Sequence, residues 1–331
     1  MQPADIARHS TEETPHTRFR LLLERCRGLP PIRMAVVHPC DAASLQGAMD
    51  ACEAGLIEPV LVGPEARIRR AAEAIQRDLG HLEIIATPHS HASAAQAATL
   101  ARDGRVAALM KGALHTDELM HAALEKTAGL RTERRASHAF AIDVPGYGHP
   151  LIVADAAVNI LPDLETKRDI CQNTILLAHA LGIAERRVAV LAAVETVHCS
   201  MPATVDAAAL SKMAERGQLV GAQVDGPLAM DNALSEAARR EKGIVSPVAG
   251  RANILLVPSV EAGNILVKQL VLLADAIAAG IVLGMRVPIA LTSRADDARA
   301  RLASAAIALL LAHQPDAERL AALKAAVAET A

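Results

Sequence analysis

Aromatic residues are nearly absent from this sequence of 331 residues, which has no tryptophan, one tyrosine (Tyr147) and two phenylalanines (Phe19 and Phe140). Proteins that bind single-stranded nucleic acid usually stack the bases on aromatic side chains. An excess of positive charge is missing as well, since 34 Lys and Arg stand against 37 Asp and Glu, a formal net charge of −3. Without stacking residues or a basic field that attracts phosphate backbones, we expect no nucleic-acid partner.

Cysteine patterns that point to disulfides or metal are also missing. The five cysteines are Cys26, Cys40, Cys52, Cys171 and Cys199. Their number is odd, they form no C-x-x-C motif, and no Cys/His cluster has the spacing of a zinc site, so we expect free thiols and no metal. The first twenty residues mix charges and histidines without an apolar run, which predicts no secretory signal and a cytoplasmic protein.

Long hydrophobic runs are missing too. The most apolar stretch, residues 269–285, is interrupted by Asp275, Gly280 and Gly284, whereas a membrane span needs about 20 apolar residues. We interpret this stretch as a buried helix followed by a buried strand and expect no membrane association. A hydrophobic content of 52% and a mean hydropathy of +0.24 nevertheless exclude a disordered chain.

Short apolar runs alternate with longer amphipathic segments, which is typical of βα units. The first half has candidate strands at 33–38, 59–63, 82–87 and 106–112, and helices at 41–54, 65–79, 90–102 and 116–127. Because the strands lack polar alternation, we expect them to be parallel and buried on both faces.

After the turn-rich segment 145–150 the alternation resumes. The expected elements are helices at 163–181, 205–216, 229–240 and 261–279, and strands at 187–194, 218–224 and 254–257. A last strand at 287–292 and a helix at 295–312 are expected to rejoin the first sheet. The prediction is an α/β protein with a polar leader (1–30) and two domains separated by a cleft. The first domain comprises residues 31–145 and 287–331, and the second comprises residues 146–286.

Several catalytic fingerprints do not occur. The sequence contains no G-x-G-x-x-G, G-x-x-x-x-G-K-[ST], G-x-S-x-G or H-E-x-x-H motif, which argues against nucleotide triphosphate hydrolysis, zinc proteolysis and α/β-hydrolase chemistry.

The segment 289–297 (IALTSRADD) is the most suggestive for chemistry, since a strand ends in Ser293-Arg294 and a helix follows. Such a junction binds anions through free N–H groups, a hydroxyl and a guanidinium, and Asp296 or Asp297 can then act as a base. The structural alternative is that Ser293 caps the helix and Arg294 pairs with one of the aspartates at the surface.

Three other segments carry candidate substrate-binding residues. Asp231 and Asn232 follow a predicted strand, Asn264 and Lys268 lie on one stripe of a predicted helix, and Lys111 ends a strand. Ligands of open α/β sheets bind at the carboxyl ends of strands. Each residue also has a structural interpretation, as a helix cap, a solvated helix face or a strand-end lysine that reaches solvent.

Five segments in collinear order resemble the phosphate acetyl/butyryltransferase family. They are ALMKGALHT (108–116), GLRTERRASHAF (129–140), VDGPLAMDNALS (224–235), SPVAGRANILLVPSVEAGNILVK (246–268) and VPIALTSRADD (287–297). The resemblance covers nearly the whole chain from about residue 33, and GPLAMDNALS and LTSRAD look closer to the butyryltransferase branch.

The resemblance implies an isopropylmalate-dehydrogenase-like fold, a homodimer, and the reaction acyl-CoA plus phosphate to acyl phosphate plus CoA, with no permanently bound cofactor. It implies that Ser293 and Arg294 bind the reacting acyl phosphate. The family's thiol base lies further into the last helix than Asp296 and Asp297, so the choice of base stays open. An arginine that some relatives carry after the MKG turn corresponds here to His121.

The residue types suit direct attack of the CoA sulfur on the acyl carbonyl in a ternary complex, because that reaction needs a base, oxyanion donors and cations for phosphate. A covalent route through Cys199 stays open. Two other functions stay open. The first is a nucleotide-dependent dehydrogenase of similar fold, a group that uses a Tyr-Lys pair, whereas the one tyrosine of this chain lies in a turn. The second is a non-catalytic acyl-CoA-binding module.

Overall fold

The computed structural model describes residues 16–292 and 296–330, with side chains to residue 325. Its helices are α1 (Thr17–Cys26), α2 (Ala42–Glu53), α3 (Glu65–Ala74), α4 (Ser90–Arg102), α5 (Thr116–Leu124), α6 (Leu164–Ala180), α7 (Pro202–Glu215), α8 (Met230–Leu234), α9 (Glu236–Glu241), α10 (Val260–Ala274), α11 (Ala298–His313) and α12 (Asp316–Thr330). Its strands are β1 (Ile32–Val37), β2 (Ile57–Gly63), β3 (Ile84–Ala86), β4 (Ala108–Lys111), β5 (Ser137–Asp143), β6 (Leu151–Ala154), β7 (Arg187–Leu191), β8 (Gln223–Leu228), β9 (Ile254–Leu256), β10 (Ile277–Leu283) and β11 (Ile289–Ala290).

All the strands that the structure describes belong to one sheet, in the order β3-β2-β1-β4-β11-β10-β5-β6-β9-β7-β8. Helices flank it, so the predicted α/β class with a mostly parallel sheet is confirmed. Alanine, valine, leucine and isoleucine make up most of the core, as the shortage of aromatic residues requires. No helix among the described residues is long and apolar enough to cross a membrane.

The first part of the sheet follows the sequence prediction closely. Strands β1, β2, β3 and β4 are parallel, and β11 returns to pair in parallel with β4, as expected of the last strand. One expectation is wrong: β3 is not buried on both faces, because it is the edge strand and its residues stay partly exposed.

Two strands in the middle of the sheet were not predicted. β5 and β6 form an antiparallel hairpin in which Ile142 pairs with Leu151, and the turn-rich segment 145–150 connects them. β10 pairs antiparallel with both β5 and β11. Because these pairings reverse the strand direction, β6, β9, β7 and β8, which are parallel to one another, run opposite to β4 and β11 within the sheet.

Two expectations in the second part are corrected. The strand expected at 218–224 lies at Gln223–Leu228, since Gly217 and Gly221 adopt positive φ and form the turn after α7. The helix expected at 229–240 is broken at Ser235, whose hydroxyl caps α9 by accepting from the Ala238 N–H. A new cap therefore divides one apolar pattern into two short helices.

The helix expected at 261–279 ends at Ala274, where Asp275 takes a left-handed conformation, and a fully buried strand follows at Ile277–Leu283. The expectation of a buried helix is wrong for α10. Leu272 and Leu273 are 78% and 80% exposed and Ile265 is 65% exposed, because nothing in the described part of the chain covers that side of the helix.

The two ends of the described chain also differ from the prediction. α1 was expected to belong to a polar leader, yet its Phe19 and Leu22 pack against the core. The last helix begins at Ala298 rather than 295 and is followed by a further helix, α12, whose Arg319 is 2% exposed. Arg319 donates to the carbonyls of Leu311 and Gln314 and pairs with Asp316, which holds α12 against α11.

Candidate active site

The carboxyl ends of three neighbouring parallel strands meet at one small cavity. The strands are β1, β4 and β11, and the cavity of about 30 Å³ is lined by Asp41, Ala43, Ser44, Lys111, Gly112, Thr292 and Arg301. Parallel strands place the residues that follow them at the same edge of the sheet, which is the usual position of ligand sites in α/β proteins.

Helix α2 begins at this cavity. Asp41 is its N-cap, and the Asp41 carboxylate accepts from the Ser44 N–H at 2.7 Å. The first turn of a helix presents N–H groups and a partial positive charge, so it favours anions. One wall of the cavity is thus the first turn of a helix, with the Asp41 carboxylate as its cap.

Lys111 brings a cation to the same cavity. Its side chain is buried, and Nζ donates to the Thr292 carbonyl at 3.4 Å, which ties the end of β4 to the end of β11. Gly112 lies so close to β1 that a Cβ there would overlap the Val37 carbonyl oxygen. Only glycine allows this approach, and the strand ends are held by the bond from the Gly112 N–H to Val37 O at 2.9 Å.

Arg301 on α11 lines the cavity and was missed by the sequence analysis. Its side chain crosses α2 at Gly47, where a Cβ would lie 2.6 Å from Arg301 Cδ. The available signal was Gly47 itself, since a glycine inside a helix is costly and marks a close approach. Lys111, Arg301 and the start of α2 together form a site suited to an anion such as phosphate.

The segment that the sequence analysis placed at the centre of the chemistry starts at this cavity. Ser293 and Arg294 follow Thr292 directly but lie outside the described residues. Asp296 is half-buried and engaged in an interaction. Asp297 caps α11 by accepting from the Ala300 N–H at 2.8 Å and also pairs with Arg299 at 3.0 Å. The cap of this helix is therefore Asp297 and not Ser293.

Comparison with known proteins assigns the family. Residues 90–309 match the family described as "Phosphate acetyl/butaryl transferase". The chain is 56% identical over 307 residues to a phosphate acetyltransferase of Rhizobium meliloti, covering 93% of this chain and 97% of the relative. The chain belongs to the phosphate acetyl/butyryltransferase family.

Two further relatives agree with this assignment. A phosphate butyryltransferase of Clostridium beijerinckii is 38% identical over 294 residues, which cover 89% of this chain and 97% of the relative. The crystal structure of a branched-chain phosphotransacylase from Enterococcus faecalis matches with a TM-score of 0.74 at 28% identity, covering 85% of this chain and 99% of that one. Over the whole chain, the sequence identity to this acetyltransferase is thus higher than that to this butyryltransferase, although two short motifs resemble the butyryl branch.

Two of the other predicted substrate-binding residues of this phosphate acetyl/butyryltransferase family member lie at the opposite edge of the sheet. Asp231 and Asn232 follow β8, whose direction is opposite to that of β4. Asn232 is fully buried, and its Nδ2 donates to Glu195 Oε2 at 3.2 Å. Lys242 Nζ lies 3.4 Å from Asp231 and 3.5 Å from Glu195, so these groups form one polar cluster.

The two predicted residues on α10 lie in different environments. Asn264 is half-buried and donates from Nδ2 to the Ala156 carbonyl at 3.3 Å, which holds the loop after β6. Lys268 is exposed. His121, at the position of a family arginine, is exposed on α5 and pairs with Glu125 at 3.5 Å, so its ring is on the surface of the helix.

The buried and half-buried thiols are poor nucleophiles at neutral pH. Burial raises the pKa of Cys26 and Cys40 to about 11 and that of Cys171 to about 12, and it raises the pKa of Cys52 as well. Cys40 precedes Asp41 at the cavity, yet its high pKa keeps it protonated. Cys199 is exposed. Within residues 16–292 and 296–330, no group of three His, Cys, Asp or Glu has the arrangement of a metal site.

A larger cavity, of about 760 Å³, lies between α1 and the middle of the sheet. Its charged groups are mostly paired within the protein: Arg187 with Glu185, and the buried Asp143 with the Phe19 N–H at 2.8 Å. It does not contain the strand-end cations described above, so it is distinct from the candidate active site.

Proposed function

We propose that the protein transfers a short acyl group between CoA and inorganic phosphate, giving acyl phosphate and CoA from acyl-CoA and phosphate. Family membership over most of the chain supports the reaction. The proposal places the reaction at the cavity lined by Lys111, Arg301 and the first turn of α2. This cavity supports the proposal because phosphate binding needs cations and N–H donors held in a fixed arrangement.

In the proposed site Lys111, Arg301 and the α2 N-terminus hold the phosphate that Ser293 and Arg294 contact. The position of Thr292 at the cavity supports this assignment, since Ser293 and Arg294 are the next two residues. Lysine acts as a point charge, whereas a guanidinium donates two parallel hydrogen bonds. The anion is thereby both neutralised and oriented.

The proposed chemistry is direct transfer in a ternary complex. In the direction from acyl phosphate to acyl-CoA, the CoA thiol loses its proton to a carboxylate, the sulfur bonds to the acyl carbon, and the carbon–oxygen bond to phosphate breaks. Donors near Ser293 stabilise the oxyanion that forms between these events. Asp296 is the better candidate for the base, because Asp297 is used as the cap of α11. The high pKa values of the buried thiols favour a mechanism without an enzyme nucleophile.

The polar cluster at the far edge is proposed to belong to the same substrate cleft, with its Asp231 and Asn232, and Asn264 and Lys268 of α10, binding the CoA side. Adjacent strands rotate by about 20–25°, so the seven steps from β4 to β8 amount to about 150°. A twist of this size would offset most of the reversal in strand direction, and we propose on this ground that the carboxyl ends of β4 and β8 face one cleft. The cleft is proposed to lie between two domains, 31–145 with 287–331 and 146–286.

We further propose a homodimer that buries the exposed side of α10. Leu272, Leu273 and Ile265 are 65% to 80% exposed, and apolar side chains clustered on one helix are typical of an interface. A second copy of this chain offers the same helix, so a two-fold contact joins identical apolar surfaces. We propose a cytoplasmic protein that needs no metal or permanently bound cofactor.

Incubation with acetyl-, butyryl- and branched-chain acyl-CoA, while free thiol is measured with and without phosphate, tests the function. Phosphate-dependent thiol release is expected, with a sequential pattern in double-reciprocal plots. A dehydrogenase gives no thiol release, and a binding module gives saturable binding without turnover. Parallel double-reciprocal lines with an acylated Cys199 contradict the direct mechanism.

A further inference from the structure

The cavity of about 760 Å³ between α1 and the middle of the sheet is far larger than a packing defect. Protein interiors contain few voids larger than a water molecule, whereas pockets for small molecules range over about 300–1,000 Å³. Leu151, Arg187 and Asn253 line this cavity at or just before the start of β6, β7 and β9. It therefore lies at the amino ends of these strands, and it shares no lining residue with the candidate active site.

Much of the cavity wall is apolar. Ile142, Ile152 and Ile277 line it from the sheet, and Leu21 and Leu22 line it from α1. Binding of an apolar group against such side chains removes apolar surface from water, which is favourable. The wall thus suits a ligand with an apolar body.

Two guanidinium groups in the wall have no buried carboxylate as a partner among the described residues. Arg187 pairs with Glu185, but the Arg187 side chain is 17% exposed whereas that of Glu185 is 73% exposed. Arg18 is half-buried and donates to the Gly148 carbonyl. The Nε of each arginine is buried without a hydrogen-bond partner in the described part of the chain. The hydrogen-bonding capacity of both cations is therefore incompletely used, which calls for an explanation in a buried group.

The carboxylates of the wall are placed differently from these cations. Glu24 and Glu185 are exposed to water, so the solvent screens their charges. Asp143 is buried, and it accepts from the Phe19 N–H at 2.8 Å in the first turn of α1, where the helix dipole favours a negative charge. Arg187 thus lies deeper than the glutamate with which it pairs.

We propose that this cavity is a second ligand site, which binds a monocarboxylate with an apolar body, such as a medium-chain fatty acid. The carboxylate of the ligand accepts from the guanidinium of Arg187, and Arg18 adds positive charge to the same cavity. The apolar body packs against Ile142, Leu21 and the other apolar side chains of the wall. A guanidinium matches a carboxylate in a bidentate geometry that an exposed surface pair seldom keeps. The inference does not rest on the proposed function.

Isothermal titration calorimetry of the full chain with octanoate, below the concentration at which octanoate forms micelles, tests the site. Octanol is the matched ligand, because it has the same apolar chain without the charge. We expect saturable binding of octanoate and an affinity for octanol that is lower by about tenfold or more, since charge-assisted hydrogen bonds are the stronger ones. Phosphate and CoA should not displace octanoate.

Leu21 offers a matched pair of variants, since it lines the cavity and is 44% exposed. Leu21→Glu and Leu21→Lys remove the same apolar side chain and add opposite charges. The affinity for octanoate should fall by about tenfold or more in Leu21→Glu and stay within about threefold of the parent in Leu21→Lys. Arg187→Gln should also lower it by about tenfold or more. Arg27→Gln, at an exposed arginine that follows α1 and does not line the cavity, should bind octanoate as the parent does.

Several results overturn the proposal. The absence of octanoate binding contradicts it, as does octanol binding that is as tight as octanoate binding. Equal affinities of Leu21→Glu and Leu21→Lys show that octanoate binds elsewhere. Displacement of octanoate by phosphate or CoA places it in the active site and rejects a second site. If Arg187→Gln does not fold, the comparison of the two Leu21 variants decides the result.

Discussion

Gly112→Ala is expected to separate the ends of β1 and β4 and to disturb the anion cavity. The new Cβ would overlap the Val37 carbonyl oxygen and lie 2.8 Å from the His38 carbonyl oxygen, and both of these atoms belong to backbone. The strands must therefore move apart, which weakens the bonds from the Gly112 N–H to Val37 O at 2.9 Å and from the Ala113 N–H to His38 O at 2.8 Å.

The size of this effect follows from two contributions. Overpacking costs about 1–3 kcal/mol, and each weakened backbone hydrogen bond costs about 0.5–1.5 kcal/mol. With two such bonds the total is about 2–6 kcal/mol, which corresponds to a fall in melting temperature of about 3–9 °C for a chain of this length. Because Lys111 is the preceding residue, kcat/KM for phosphate should fall by about tenfold or more.

Thermal unfolding and steady-state kinetics at varied phosphate measure both effects. Gly148→Ala is the matched control, since its φ is not positive and no atom lies within 4 Å of the new Cβ; it should leave both quantities unchanged. If Gly112→Ala keeps the parental melting temperature and the parental phosphate kinetics, the close approach of β1 and β4 does not shape the site.

Arg294→Lys keeps the charge but loses the bidentate geometry, so kcat/KM should fall by about a hundredfold with folding intact; near-parental turnover in both Arg294→Lys and Arg294→Ala contradicts the site assignment. Leu273→Glu should give monomers in analytical ultracentrifugation, whereas Val245→Glu, at a residue that is 98% exposed elsewhere, should not; identical sedimentation of both variants argues against the α10 interface. Because the pKa of His138 is lowered to about 4 in the folded protein from 6.5, the unfolded chain binds the extra proton between these values, and stability should fall as pH decreases from about 6.5 to 4. The free energy of unfolding, measured with urea at pH 7 and pH 4.5, should decrease by about 2–3 kcal/mol more in the parent than in His138→Gln. Equal decreases in the two proteins contradict the buried neutral state of His138.

The candidate site was only partly accessible from sequence. Lys111 and the segment after β11 were predicted as site residues because strand ends carrying cations and hydroxyls have a recognisable local pattern. Arg301 was missed because its importance depends on packing across Gly47, in a helix some 250 residues earlier in the chain. The complete burial of His138 was likewise not predicted, because a histidine inside an apolar segment has no local pattern that reveals its surroundings.

The sequence by itself determined the α/β class, most strands and helices of the first part, the family, and the absence of stacking aromatics and metal motifs. These properties depend on composition, on local periodicity and on long collinear motifs. Only the tertiary structure decided that β5, β6 and β10 join all the strands into one sheet, that α10 leaves apolar side chains exposed, and that Lys111 and Arg301 meet at the start of α2. Strand pairing and helix packing join residues far apart in the chain, and the free energy of such contacts depends on all the elements at once, which no local pattern records.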